Sequence, residues 1–338
     1  MRPFVRWPRG LEKEIGELLP LVPSEIENYY DPYLGSGAMF FAVDARGQYF
    51  VNEVSEPLVD IYKAVKKGRR GFWHTLESTC NAWKSVEARI MGVQDSLLEL
   101  AFDYRQNRFK SYPVFVAEVK DALKGIWYSD LFTFVIPDPM DFSMEFHHKV
   151  IEAVMLVAGK DMHEEMAVEE ILTAMKDAIF NFMVDVYNNT SVDHSVRSGV
   201  LAFVLHYSKQ EGLFYDDTGE MRPDYLGAEA NRVYLNDMLK LQADEKFQAK
   251  MNRSHFWNVS GKVFLQKNRI GYDDFLFMTP QTEEELKDAV DYVSSPKCDT
   301  HWMIVANNPD ILNPLTQMRG ICAGTVNQQR NLFLVKNY

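Results

Sequence analysis

A glycine-rich turn between a β-type run and an apolar helical stretch constrains the fold more than any other part of this sequence. The turn, DPYLGSG, covers residues 31–37. Glycine reaches backbone torsions closed to other residues and lets the backbone approach a ligand closely. A second strand-like run, QYFVNEV, contains Glu53, which is placed to accept both hydroxyls of a ribose. The combination predicts a site for an adenosine-containing cofactor; a structural turn beside an ordinary surface glutamate is the alternative.

The pattern of runs along the chain predicts a divided α/β core. Strand, turn, helix, strand and helix over the first 70 residues are typical of the beginning of an open α/β sheet. Long amphipathic stretches with few turn signals then predict helices whose Met and Phe positions belong to a core. Strand-like runs return near the C-terminus. We therefore predict an α/β core from residues 1–70 and 196–338 and a mainly helical insertion at 71–195.

Composition bounds the environment and the partners. The 338 residues are 46% hydrophobic and 25% charged, as in ordinary globular proteins. The N-terminal residues do not resemble a signal peptide, and no apolar run is long enough to predict a membrane span. The three cysteines are widely scattered, which favours a reduced, cytoplasmic compartment. The net charge of −12 disfavours DNA as a partner and favours proteins, although a local basic patch remains compatible with it.

Six segments, in order, resemble the Dam-type DNA adenine-N6 methyltransferases. RPFVRWPRG resembles the N-terminal element of that family, and YYDPYLGSGAMFF resembles its acid-Pro-Phe-x-Gly-x-Gly cofactor loop. VNEVSEPLVDIYKAVK resembles its acid-bearing second strand and the helix that follows. AFVLHYSKQEGLFYDDTGEMRPDYLG resembles its recognition segment, and DDFLFMTP stands where its catalytic strand does. MIVANNPD and NLFLVKNY resemble its last strands.

The resemblance implies a Rossmann-like core that binds S-adenosylmethionine and a duplex DNA substrate. It also implies that the helical insertion stands in place of a DNA-recognition domain. Carried over position by position, it predicts cofactor contacts from Trp7, Asp31, Tyr33, Gly35, Ser36, Gly37 and Glu53.

The sequence departs from the family at the catalytic tetrapeptide, Asp-Pro-Pro-Tyr. In the family, the N6 amine of a flipped adenine donates to the Asp side chain and a Pro carbonyl, and the aromatic ring stacks on the base. Here the strand ends in TPQT, so Thr279 and Pro280 take the first two positions and Thr282 replaces the aromatic residue. A hydroxyl brings no negative charge to steady the cation that develops on nitrogen. Loss of such preorganised electrostatics costs about 100-fold or more in rate.

Three further departures affect the same function. Leu11 stands where the family has a cofactor-contacting Lys, and the loop that closes over the flipped base is almost absent. In the recognition segment, Tyr215 replaces an Arg that would contact DNA. Asp216 and Asp217 add negative charge there, where phosphates would repel it. Together these changes predict a divergent member of the family that has lost methylation.

The sequence offers no replacement catalytic motif. Asp138 and Pro139 follow a strand-like run and offer an Asp-Pro pair, but they lie in the insertion and lack the aromatic residue. A loop acid is the better interpretation. The histidines lack the spacing of a two-His metal site, so no metal is predicted.

Three functions stay open at this point. The first is a catalytically inactive homologue that acts as a binding or scaffold subunit, for instance with an active methyltransferase subunit, and retains some cofactor binding. The second is a divergent but active adenine methyltransferase in which Thr279 and Pro280 suffice. The third is an enzyme that uses S-adenosylmethionine for another reaction, which no residue in the sequence specifically supports.

Overall fold

The computed structural model describes residues 3–8, 10–125, 139–160, 162–189, 191–232, 235–296 and 298–338. The chain divides into two compact units. The sheet unit comprises Met1–Lys67 and Leu241–Tyr338, and the helical unit comprises Gly68–Lys240. Among the described helices, none is both long enough and apolar enough to cross a membrane.

Seven strands in the described part of the chain form one sheet, in the order β3-β2-β1-β4-β5-β7-β6. The strands are β1 Tyr29–Asp31, β2 Tyr49–Asn52, β3 Ser254–Trp257, β4 Phe275–Met278, β5 His301–Ala306, β6 Cys322–Asn327 and β7 Leu332–Lys336. Strands β1 to β5 pair in parallel, whereas β7 is antiparallel to both β5 and β6. The central strands β1 and β4 are buried along their whole length, as strands covered on both faces must be.

The sheet unit also contains α-helices, most of which lie between its strands in sequence. They are α1 Ile15–Leu18, α2 Ala38–Ala42, α3 Glu56–Lys66, α11 Glu245–Asn252, α12 Gly261–Lys267, α13 Glu283–Ser294 and α14 Pro309–Thr316. Leu286 and Ala289 of α13 pack against Leu276 of β4 and Ile304 of β5 in one hydrophobic cluster. The strand order turns back at β1, which lies between β2 and β4. Ligands of open α/β sheets bind at such a switch point, outside the carboxyl ends of the strands. The predicted α/β, Rossmann-like methyltransferase fold class is confirmed.

The helical unit consists mostly of long amphipathic helices. They are α4 Arg70–Ile90, α5 Gln94–Arg105, α6 Tyr112–Ala122, α7 Pro139–Gly159, α8 Glu164–Asn188, α9 His194–Tyr207 and α10 Asn236–Lys240. Trp83 of α4 stacks on Tyr207 of α9 with ring centroids 4.3 Å apart. Lys176 of α8 is fully buried, pairs with Glu87 and lies 5.0 Å from the centre of the Trp83 ring.

The second boundary of the helical unit differs from the sequence prediction. Residues 196–240, which we assigned to the α/β core, belong to the helical unit. The reason is that α9 packs closely along α4, where a Cβ added at Gly199 would lie 2.8 Å from the carbonyl oxygen of Phe72. The chain after α9 then returns, and Leu226 donates its backbone N–H to Tyr207 at 2.9 Å. Asp138 and the strand-like run before it lie outside the described residues.

Candidate functional site

The glycine-rich turn connects β1 to α2 through two residues in the left-handed region. Gly35 has a φ of +52° and Gly37 a φ of +74°. A Cβ at Gly37 would lie 3.2 Å from both the Tyr62 hydroxyl oxygen and a ring carbon of Phe41. The Tyr62 hydroxyl in turn donates to the Gly35 carbonyl at 3.2 Å. Glycine is therefore required here by torsion at both positions and by space at Gly37.

Asp31 lies beneath the turn and organises it from inside. One carboxylate oxygen accepts the Tyr33 backbone N–H at 3.0 Å, and the other accepts the Tyr29 hydroxyl at 3.0 Å. Only 2% of the residue is exposed. Burial is the largest influence on this carboxyl and raises its pKa to about 7, although the two hydrogen bonds oppose the rise. Asp31 thus acts on the shape of the turn from below.

Glu53 follows β2 and connects the turn to the end of that strand. Its Oε2 accepts the Gly35 backbone N–H at 2.9 Å, and its Oε1 accepts that of Ser55 at 3.0 Å. Burial raises the pKa of this carboxyl above its ordinary value. Each oxygen of a carboxylate accepts more than one hydrogen bond, so both can also accept the hydroxyls of a ribose.

A cavity of about 450 Å³ lies at the carboxyl ends of these strands. Four residues predicted to contact the cofactor line it, namely Trp7, Tyr33, Gly35 and Glu53. Its size falls within the range of about 300–1,000 Å³ found for small-molecule sites. The volume, the bare backbone at Gly35 and the carboxylate of Glu53 fit an adenosine-containing group such as S-adenosylmethionine.

The other three predicted cofactor residues lie close to the cavity. They are not among the described residues that line it. They are Asp31, Ser36 and Gly37. Ser36 is 3% exposed and belongs, like the other two, to the packing of the turn. Leu11 is buried as well, and its carbonyl accepts the Glu14 and Ile15 backbone N–H groups at the beginning of α1.

The altered tetrapeptide lies beside the turn, as its alignment predicts. The Thr279 hydroxyl donates to the Tyr33 carbonyl at 3.1 Å, and Pro280 is buried. Gln281 and Thr282 line the cavity. The Gln281 side chain donates to the Thr279 carbonyl at 2.9 Å, which folds the segment back onto β4. The tetrapeptide therefore joins the carboxyl end of β4 to the cofactor turn.

Thr282 begins α13 and forms a capping box with Glu285. Its side chain accepts the Glu285 backbone N–H at 3.2 Å, and Glu285 Oε2 accepts the backbone N–H groups of Gln281 and Thr282 at 2.8 and 3.1 Å. Three backbone N–H groups are thereby satisfied at this helix end. Only the four residues of the tetrapeptide separate β4 from α13, which leaves no room for a loop over a flipped base.

Several residues that line the cavity were not predicted from the sequence. Asn52 donates to the Pro32 and Val259 carbonyls, each at 2.9 Å, and so joins β2 to the cofactor turn and to the start of α12. Gly261 faces the Tyr33 ring so closely that a Cβ there would lie 2.3 Å from a ring carbon. The Thr-x-x-Glu spacing of a capping box was a readable signal for Glu285. Gly261 had no comparable local signal.

Tyr215, the predicted DNA contact, lies in the helical unit on a short hairpin. It is 50% exposed, and its hydroxyl oxygen lies 3.5 Å from that of Tyr187. Arg222 pairs across the hairpin and lies within 2.5–3.7 Å of carboxylate oxygens of Asp185, Asp216 and Glu220. These acids offset the positive charge that a phosphate contact would use.

Part of the chain is similar in sequence to known methyltransferases. Residues 9–89 match the family described as D12 class N6 adenine-specific DNA methyltransferase. Over 66 residues the chain is 27% identical to the Type II methyltransferase M1.LlaDCHI of Lactococcus lactis subsp. cremoris. That match covers 20% of this chain and 23% of the relative. Residues 9–89, which match the family model, contain the glycine-rich turn and Glu53. The N-terminal quarter of the chain is therefore similar to the D12 class N6 adenine-specific DNA methyltransferases, the Dam-type family that the sequence motifs resemble.

Proposed function

We propose that this protein binds S-adenosylmethionine in the cavity beside Gly35 and Glu53 but does not methylate adenine. Methyltransferases of the D12 class use S-adenosylmethionine as methyl donor. On this proposal the chain acts as a binding or scaffold subunit, with a protein such as an active methyltransferase subunit as its partner.

The environment of the tetrapeptide is the observation that supports loss of methylation. The Thr279 hydroxyl donates to a backbone carbonyl, and the Thr282 side chain caps α13. Neither residue supplies the carboxylate that an adenine amine needs or the aromatic ring on which the base stacks. The short connection from β4 to α13 excludes a loop that could hold the base. These contacts support a site that lacks the charged acceptor and the aromatic surface used in adenine methylation.

A divergent but active adenine methyltransferase remains the alternative. It is favoured by the position of Thr279, whose hydroxyl oxygen can still accept a hydrogen bond while it donates to Tyr33. Gln281 also presents an amide at the wall of the cavity. This alternative requires transfer without a charged acceptor, which lowers the expected rate by about 100-fold or more.

Charge supports a protein partner over DNA. The chain carries a net charge of −12. On the hairpin that would contact DNA, Arg222 is surrounded by three carboxylates, two from the hairpin itself and one, Asp185, from α8. Phosphates are repelled by such a surface, because affinity for DNA depends on cations that displace counterions.

Calorimetric titration tests cofactor binding. We expect the wild-type protein to bind S-adenosylmethionine. Replacing the charged acceptor in Glu53→Gln should weaken binding by about tenfold or more, because hydrogen bonds to charged groups are worth about 1.5–3 kcal/mol. Glu283→Gln, at an exposed position in the first turn of α13, is the matched control and should bind as the wild type does. No binding by the wild-type protein at near-millimolar ligand contradicts the cofactor part of the proposal.

Methyl transfer separates the two candidate functions. The protein is incubated with methyl-labelled S-adenosylmethionine and mixed-sequence duplex DNA, and label in adenine is counted. We expect no transfer above that of Glu53→Gln. Transfer above this background excludes the inactive form and supports the alternative. Thr279→Ala should then reduce the rate, and an unchanged rate would mean that the reacting base lies elsewhere.

A further inference from the structure

An ion pair with a buried carboxylate joins the N-terminal segment to the turn between β6 and β7. Glu14 is 2% exposed, and both of its carboxylate oxygens lie 2.9 Å from Arg330 Nη1. Asn327 donates its side-chain amide to the same carboxylate at 2.9 Å and accepts the Arg330 backbone N–H at 3.1 Å. A buried carboxylate needs such partners, because removal from water without them is costly.

The same guanidinium also holds the chain that forms one wall of the cavity. Arg330 Nη1 lies 3.0 Å from the Gly10 carbonyl oxygen. The Gly10 backbone N–H donates to the Trp7 carbonyl at 3.1 Å, which closes a tight turn. Trp7 and Pro8 line the cavity. The Trp7 indole lies against the cofactor turn, 3.3 Å from where a Cβ on Gly35 would be.

This wall is anchored on both sides. On the N-terminal side, the Phe4 ring packs against the rings of Phe41, Tyr62 and Phe247, with centroids 5.3–5.9 Å apart. On the C-terminal side, the anchor is Arg330. Apolar contacts such as those of Phe4 allow the rings to slide over one another, whereas a charge-assisted hydrogen bond fixes the relative orientation of its two groups. The orientation of Trp7 therefore depends on the charged anchor.

We propose that Arg330 is a positioning residue for the cofactor cavity. Through Glu14 and the Gly10 carbonyl it sets the place of Trp7 over the glycine-rich turn, although it does not itself line the cavity in the part of the chain that the structure describes. The inference rests on the proposed function, since it concerns the affinity for S-adenosylmethionine. It gives the C-terminal hairpin, which lies far from the cofactor motif in sequence, a role in that site.

The test compares three changes at this anchor with one matched control. Arg330→Gln removes the charge, Arg330→Lys keeps it, and Glu14→Gln combined with Arg330→Gln leaves no unpaired carboxylate and so protects folding. The control is Arg253→Gln. Arg253 Nη1 likewise lies 3.0–3.2 Å from three backbone carbonyls of the sheet unit, at residues 45–47, away from the cavity. Each variant is measured by calorimetric titration with S-adenosylmethionine and by hydrogen exchange of the backbone amides.

We expect Arg330→Gln and the double variant to weaken binding by about tenfold, in the range typical of residues that act through packed neighbours. Exchange should rise at the amides of residues 7–15. Arg330→Lys should restore most of the affinity, and Arg253→Gln should lower thermal stability without changing affinity. Faster exchange at residues 7–15 with unchanged affinity overturns the inference, as does equal loss of affinity in Arg253→Gln. If the wild-type protein binds no S-adenosylmethionine, the proposed function fails, and exchange alone decides whether Arg330 holds this segment.

Discussion

Replacing Asp31 by Asn tests how tightly the cofactor turn packs around a buried carboxyl group. The Asn side chain keeps an oxygen for the Tyr33 backbone N–H and places an amide beside the Tyr29 hydroxyl, which can accept from it. The substitution therefore removes ionisation while it preserves both neighbours. Any difference between the two proteins that varies with pH then reports the Asp31 carboxyl itself.

The magnitude follows from the pKa. Burial raises the Asp31 pKa from its ordinary value of 3.8 to about 7. Because the Asp31 pKa is higher in the folded protein than in the unfolded chain, the protonated carboxyl favours the folded state. This contribution of Asp31 to folding stability is fully present below about pH 4 and is lost as pH rises through 7. At about 1.4 kcal/mol for each pKa unit, the loss amounts to about 4 kcal/mol. The free energy of unfolding of the wild type, relative to Asp31→Asn, should fall by about this amount between pH 4 and pH 9.

Urea denaturation followed by circular dichroism at several pH values measures this difference. Other carboxyl groups titrate in both proteins, so their contributions cancel in the comparison. A carbon NMR titration of the Asp31 carboxyl gives its pKa directly. A difference in stability that does not vary with pH would refute the reasoning, because Asp31 would then ionise as easily in the folded protein as in the unfolded chain.

Three further substitutions test separate contacts of the sheet unit. Lys250→Met removes an ammonium that donates to three backbone carbonyls at the end of α2, so we expect a loss of about 1–3 kcal/mol in urea denaturation; unchanged stability would contradict it. Thr282→Ala should cost about 1 kcal/mol through loss of the helix cap, whereas Thr282→Ser should cost less; equal effects would dismiss the capping box. Gly261→Ala must displace the Tyr33 ring, so thermal stability and calorimetric affinity for S-adenosylmethionine should both fall. Gly324→Ala, with open space around it, is the control and should change neither.

The part of the site that is local in sequence was predictable. The turn from β1 to α2 depends on an acid, a proline and two glycines within seven residues, and Glu53 follows on the next strand. Such a turn determines its own backbone, because few residues reach its torsions. The helices of the central region were likewise visible in their apolar periodicity.

Features that depend on distant partners were not predictable in the same way. Strand β3, Ser254–Trp257, lies at the edge of the sheet and is largely unburied, so its sequence shows neither alternation nor an apolar run. Helix α9 is apolar on nearly every side and could belong to either unit by its pattern alone. Its packing on α4 decided the boundary. The helix-capping role of Thr282 could be predicted from the Thr-x-x-Glu spacing. Thr282 was instead compared only with the aromatic residue of the catalytic tetrapeptide, so this role was not predicted.

The division of the sheet between two stretches of chain affects how the protein folds during synthesis. Strand β2 pairs with residues more than 200 positions later, so the first 67 residues provide only β1 and β2 of the final sheet. Two strands alone are marginally stable in water. The helical unit, in contrast, contains its own core within Gly68–Lys240. We therefore expect the helical unit to fold first. Its folding restricts the positions of the two ends of its own segment, which reduces the entropy lost when β3 and β4 pair with β2 and β1.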